Sequence, residues 1–454
     1  MQQAVDAEIG DQYGTFVAYG FVFNLILGSG PLTLPFAFHK AGMLLASGFV
    51  LLVAGAAFIA ATYIVESMSL AAAFARGEEG VPLIVNAAEV DPVAVFALDS
   101  RQELGTMAAR FFPRAGHLAS IACVVLYLYG GATMYAVSVP QAVMAVSGNI
   151  GSLGEGGTYH VLLACFAALG VPLCFHDFQK TKPLQIFTVI TRSIVFVTML
   201  TLSFVRVARG AGDADVSLLQ PSGMSHLFEV AVFVFMCHHS LPGILAPVRN
   251  KRTLVPMLVA AYGTVFVAYV LLCLFAQLAF GGTAAATCGT GPGAACEIQA
   301  LYTSNFASYD VHAIGSTIAL FPVLLIDSFP LVVISLRNNL MQLLPIGRAG
   351  STLRQVAFTL VAALPPIAIA SVTRDVQMVT AYTGAYAGTA ILFLIPTALV
   401  TLGRKRATER WGHDAVARNP LRSPAGHVAW SILIVSFAAV AIVFNTVNFI
   451  RGEK

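Results

Sequence analysis

Runs of apolar residues separated by short polar breaks recur along nearly the whole chain. A helix crossing the hydrocarbon core of a bilayer needs about 20 such residues. Eleven stretches read as spans: 13–38, 43–72, 118–147, 160–175, 184–207, 227–248, 254–280, 314–336, 356–372, 376–402 and 428–449. The tightest separation is the polar triplet Thr373-Arg-Asp375. The pattern therefore predicts an all-α polytopic membrane protein with short tails at 1–12 and 450–454.

Two spans are interrupted. In the first, an apolar run reaches Leu27 and then meets Gly28, Ser29, Gly30 and Pro31. Glycine is entropically costly in a helix, and proline removes a donor and clashes with the preceding turn. Together they predict an unwound segment at membrane depth, which is tolerated only where it lines a protein cavity. The sixth span repeats the oddity: Phe228 to Met236 is apolar, then Cys237, His238, His239, Ser240, Leu241, Pro242 and Gly243 follow. Interrupted spans at corresponding positions of two halves point to a transporter binding site. Here they fall in spans one and six, as two five-helix halves of inverted topology require. Half-helix N-termini offer N–H groups to a carboxylate, and freed carbonyls suit a cation or an amino group. The candidate substrate contacts are Asn24, Leu27, Gly28, Ser29 and Gly30 from the first break, with Cys237, His238, His239 and Ser240 from the second.

Composition agrees with a membrane protein. The 454 residues are 57% hydrophobic and 10% charged, against roughly 25% charged in soluble domains. Net charge is only +3, but its distribution is informative. With the N-terminus in the cytoplasm, eighteen of the 25 Lys and Arg residues fall on the cytoplasmic side and six opposite, Arg192 alone lying within a span. That bias places the N-terminus inside and, with eleven spans, the C-terminus outside. No cleavable leader is expected from the polar, acidic first twelve residues. The cysteines lack metal-ligand spacing. Cys288 and Cys296 lie in a loop on the oxidising side, where they either close a disulfide or remain free thiols. In the long loop before the third span, Ser100-Arg-Gln-Glu103 matches a capping box. Leu104, Met107, Ala108 and Phe111 follow at helical spacing, predicting a short amphipathic helix along the membrane interface.

The run from Asn24 to Phe38, followed by Ala41-Gly42, resembles the first-helix signature of the amino acid/auxin permease family, within the amino acid–polyamine–organocation superfamily. Val125–Gly130, Phe178–Lys182, Phe235–Pro242, Ser335–Asn339 and Thr383–Thr389 resemble its transmembrane protein 104 branch. The likeness runs from about Tyr13 to Phe449. It implies a LeuT-like transporter domain over 13–449: a five-plus-five inverted repeat (13–207 and 227–402), broken helices one and six, and an extra helix at 428–449. It also implies ion-coupled amino acid transport, without indicating which amino acid.

Ionisable groups inside a bilayer are expensive and mark functional positions. Arg192 lies well inside the fifth span, and Asp327 in the eighth with Ser328 beside it. In this superfamily helices one, five and eight meet beside the unwound segment, where sodium-coupled members bind a cation. The expectation is that Arg192 and Asp327 face each other there, the guanidinium standing in for sodium and Asp327 carrying a coupled proton. A purely structural ion pair is the competing reading. Of the two histidines, one is expected to line the site and the other to pack. Glu66 is expected at the cytoplasmic interface, and Asn24 on an unwound carbonyl. Tyr127 and Tyr129 face apart, so at most one reaches the site.

The resulting expectation is a secondary amino acid transporter driven by protons ahead of sodium, with no cofactor, metal or nucleic-acid partner. The alternative is an amino acid sensor of the same fold. No nucleophile–base set supports an enzyme, and no Gly-x-x-x-x-Gly-Lys-Ser/Thr run supports an ATP-driven pump. Both the plasma membrane and an acidic vacuolar or lysosomal membrane fit.

Overall fold

The computed structural model describes residues 12–78, 92–175, 182–210, 216–281, 298–307, 312–324, 326, 328–344 and 351–451. Their backbone is almost wholly helical. The first half runs through α1 (Thr15–Leu27), α2 (Gly30–Ala41), α3 (Met43–Glu78), α4 (Pro92–Val95), α5 (Leu104–Phe111), α6 (Arg114–Ser147), α7 (Gly154–Leu173) and α8 (Lys182–Ala208). The second half continues through α9 (Met224–Val234), α10 (Leu241–Leu245), α11 (Leu254–Phe280), α12 (His312–Ala319), α13 (Phe321–Leu324) and α14 (Ser328–Leu343). It closes with α15 (Thr352–Val372), α16 (Val376–Trp411), α17 (His413–Ala417) and α18 (Val428–Arg451).

Among the described residues, eight helices are long and apolar enough to cross a bilayer, or nine when α1 and α2 count as one span bent by 50°. Large apolar side chains point outward from them, with Leu52 63% and Val372 88% exposed. A surface so apolar is stable only against lipid, so the chain is an integral multi-pass membrane protein. The most buried of these helices, α6 and α16, run through the middle of the bundle.

The expected sixth and eighth spans are in pieces. The sixth divides into α9 and α10, as its polar and proline-bearing middle predicts. The eighth, expected as one helix over 314–336, is instead divided into α12, α13 and α14. Pro322 and Pro330 each lack an amide hydrogen and crowd the preceding turn, so this span contains a third irregular region. Two other expectations are corrected. The helix read over 160–175 begins at Gly154, because backbone bonding carries it beyond the apolar run. The capping box does not form: α5 starts at Leu104 without a side-chain cap, Glu103 pairs with Arg101 at 2.5 Å, and Ser100 Oγ accepts from Gln102. The apolar face of α5 is buried against α3, α6 and α16, and not laid on lipid.

Helix α16 carries a feature that its apolar pattern conceals. Residues Gly384–Gly388 and Ala390–Leu394 adopt the wide π turn, a local form frequent at functional sites. There α16 approaches α9 so closely that a Cβ on Gly384 would sit 2.0 Å from Glu229 O.

Candidate functional site

The first break is two residues long. Gly28 takes φ +28°, a value that favours glycine, and its N–H donates to Asn24 O at 2.9 Å. Ser29 follows, and α2 begins at Gly30 with Pro31 in its first turn, where no amide donor is needed. The second break runs from Phe235 to Ser240, with α10 restarting at Leu241 and Pro242 in its first turn. Among the described residues, no backbone hydrogen bond starts from the N–H of Ser29, Cys237, His238 or His239. Ser29 N–H sits at the start of α2, with the positive end of that helix dipole behind it, and the other three lie in the break ahead of α10.

The two breaks meet at Tyr269 of α11. Its hydroxyl donates into a group of carbonyls at Ile26 (2.8 Å), Leu27 (3.1 Å) and Val234 (3.4 Å), the last turns of α1 and α9. The N-terminal flank of the first break is also joined to the C-terminal flank of the second. Tyr13 N–H donates to Pro247 O, Arg249 N–H to Tyr13 O, and the Tyr13 hydroxyl to Ile244 O at 2.5 Å. The start of helix one and the end of helix six are therefore bound to each other.

Side chains in the second break diverge. Cys237 is buried with Sγ 3.1 Å from the Tyr262 hydroxyl. His238 is fully buried and donates from Nε2 to Ala57 O of α3 at 3.0 Å. The His239 ring lies tilted against Tyr127, 5.3 Å between centres, and with Ser240 it lines a cavity of about 350 Å³. The other walls come from Arg101 and Glu103 ahead of α5, from Ser120 to Leu128 of α6, and from Ser335, Asn338, Asn339 and Gln342 of α14. Tyr129 turns away and donates to Val361 O at 2.8 Å.

Gln377 of α16, which does not line this cavity, joins several elements. Its amide donates to Thr33 O of α2 at 3.0 Å and to Ala300 O at 2.5 Å, and its Oε1 lies 3.0 Å from His226 Nε2. One amide thus ties helices one, six and ten to the loop before α12.

A second cluster forms beside α14. Arg192 is 8% exposed, and its Nη2 donates to Ser328 Oγ at 2.7 Å, while its Nε has no hydrogen-bond partner. Asp327, Cys288 and Cys296 lie outside the described residues. Among the described residues the Asn24 side chain donates to no unwound carbonyl; its Oδ1 is buried without a partner, and its backbone carbonyl accepts from Gly28 N–H. Glu66 is fully buried and forms a two-oxygen pair with Arg404.

Through Tyr269 the structure brings Leu27 and Gly30 to the end of α9, next to the second break. It separates Cys237 and His238, which pack, from His239 and Ser240, which face the cavity. Tyr269, Gln377 and the Arg101–Glu103 pair were not singled out from the sequence. An aromatic in an apolar span resembles core, and a glutamine or a loop ion pair has no distinguishing spacing.

No family model matches this chain. A transmembrane protein 104 homolog of Dictyostelium discoideum is 30% identical over 496 residues, covering 98% of this chain and 99% of that protein. Transmembrane protein 104 of Mus musculus is 32% identical over 504 residues, covering 98% of each. Among solved structures, MhsT in complex with L-phenylalanine superposes with a TM-score of 0.52 at 14% identity, covering 96% of this chain and 99% of MhsT. That likeness shows a shared fold. With a third of its residues shared along nearly the full length of both proteins, the chain belongs to the transmembrane protein 104 family.

Proposed function

We propose that this protein is a secondary active amino acid transporter, coupled to protons and working by alternating access around helices one and six. In this reading eleven helices span the membrane as a five-plus-five inverted repeat with one added helix. The N-terminus is cytoplasmic, and the membrane is the plasma membrane or a vacuolar or lysosomal one. The observation that supports the reading is the meeting at Tyr269 of two broken helices with unbonded N–H groups, the second of which lines a polar cavity with His239 and Ser240. Those donors suit a carboxylate. His239 and Ser240 offer polar contacts, and MhsT, with its bound L-phenylalanine, lends the fold analogy. With the N-terminus taken as cytoplasmic, this reading assigns the described arrangement, with its cavity lined from Arg101 and Gln342, to an inward-facing state. Arg192, close to the irregular region of the eighth span, supplies a fixed positive charge. Asp327, the residue before Ser328, is assigned the coupled proton.

A thermal-stability screen of the purified protein against individual amino acids tests the binding step. A ligand that binds only the folded protein stabilises it by about 2.7 kcal/mol at a hundredfold excess over Kd. The expected result is a raised midpoint with a subset of amino acids and none with the matching amines lacking a carboxylate. Equal responses to the amines, or no response to any amino acid, would contradict the site.

A further inference from the structure

The Tyr269 hydroxyl is surrounded by more acceptors than it can satisfy. It lies 2.8 Å from Ile26 O, 3.1 Å from Leu27 O and 3.4 Å from Val234 O. A phenol carries one proton, so three carbonyls from two different broken helices share a single donor. These carbonyls belong to the last turns of α1 and α9, where the breaks remove the amides that would have bonded them. They also sit at the negative ends of two half-helix dipoles. Backbone carbonyls converging in this way at membrane depth form a coordination set for a cation.

The hydroxyl is fixed in that position. Tyr269 is fully buried, its ring held edge-on to Phe235 at 5.5 Å. The break is shaped to admit it: a Cβ on Gly30 would lie 2.0 Å from the Tyr269 oxygen. Only glycine leaves room there for the hydroxyl.

We propose that Tyr269 is a built-in replacement for a monovalent metal cation: its hydroxyl occupies the carbonyl cluster between the two breaks and makes this position indifferent to sodium. Its consequence for ion coupling rests on the transporter reading above; the occupancy of the cluster does not. The residue determines cation specificity by holding the place itself. It ties the ends of α1 and α9 together with one hydrogen-bonding proton in place of an exchangeable ion.

The test compares thermal midpoints of the purified full-length protein in sodium chloride and in choline chloride at equal ionic strength. For the unsubstituted protein the two midpoints should coincide. Tyr269→Phe keeps the ring and removes only the donor, so its midpoint should fall equally in both salts. Tyr269→Ala vacates the cluster, and sodium should raise its midpoint over choline by about 3 °C or more, the signature of a ligand that binds only the folded state. If the alanine variant does not fold, Tyr269→Ser is read in the same way. A sodium response in the unsubstituted protein, or none in the vacated variants, would overturn the proposal. No amino acid enters the experiment, so failure of the transport reading would leave its result intact.

Discussion

Replacing Glu66 by alanine is expected to lower the unfolding free energy by about 3–5 kcal/mol, the cost of leaving a buried charge without its partner. Glu66 is fully buried in α3. Its Oε1 accepts from Arg404 Nε at 2.7 Å, and its Oε2 accepts from Arg404 Nη2 at 2.6 Å and from Ser423 N–H at 2.8 Å. Arg404 Nη1 donates onward to Gly426 O, and its guanidinium lies 5.7 Å from the centre of the Tyr63 ring. Thr62 and Tyr63 bond Ser423 Oγ and Ala425 O from the same face of α3. The group fastens α16 and the segment between α17 and α18 onto the second span. Thermal unfolding in detergent should show the alanine variant strongly destabilised. The double variant Glu66→Ala, Arg404→Ala should lose less than the sum of the two singles, because contacting residues are coupled. Additive losses would show that the pair is not the unit described.

The second large effect concerns Arg192. Arg192→Gln is expected to reduce amino acid uptake at least about tenfold, equivalent to about 1.4 kcal/mol, while the thermal midpoint changes little. The split follows from its contacts. Ser328 Oγ accepts from Nη2, yet Nε has no partner, and a guanidinium serving only to lock helices would use its donors more fully. Arg192→Lys, which retains charge but not the planar fork, should keep an intermediate rate. Parallel losses of uptake and midpoint in Arg192→Gln would return the residue to a structural role.

Much of this arrangement was legible in the residue pattern, for local reasons. Gly28-Ser-Gly-Pro31 and His238 to Gly243 break helices by their own backbone chemistry, so both interruptions could be placed without tertiary information. The break in the eighth span was not read, because Pro322 and Pro330 in an otherwise apolar run look like tolerated membrane prolines. Ser100 and Glu103 matched a cap that a competing Arg101–Glu103 contact prevents. Glu66 was visible, but its partner lies 338 positions away on α16. The role of Tyr269 depends on three carbonyls brought together by folding, and no spacing in the chain encodes that. The π turns of α16 likewise answer to the close approach of Gly384 to α9, a tertiary demand.

The most direct test of the account is uptake of a mixed, labelled amino acid pool into proteoliposomes containing the purified protein, with and without an inward proton gradient and with sodium absent. The account predicts accumulation that requires the gradient and is lost in Asp327→Asn. No accumulation under either a proton or a sodium gradient, in protein that amino acids still stabilise against heat, would contradict transport and identify a sensor.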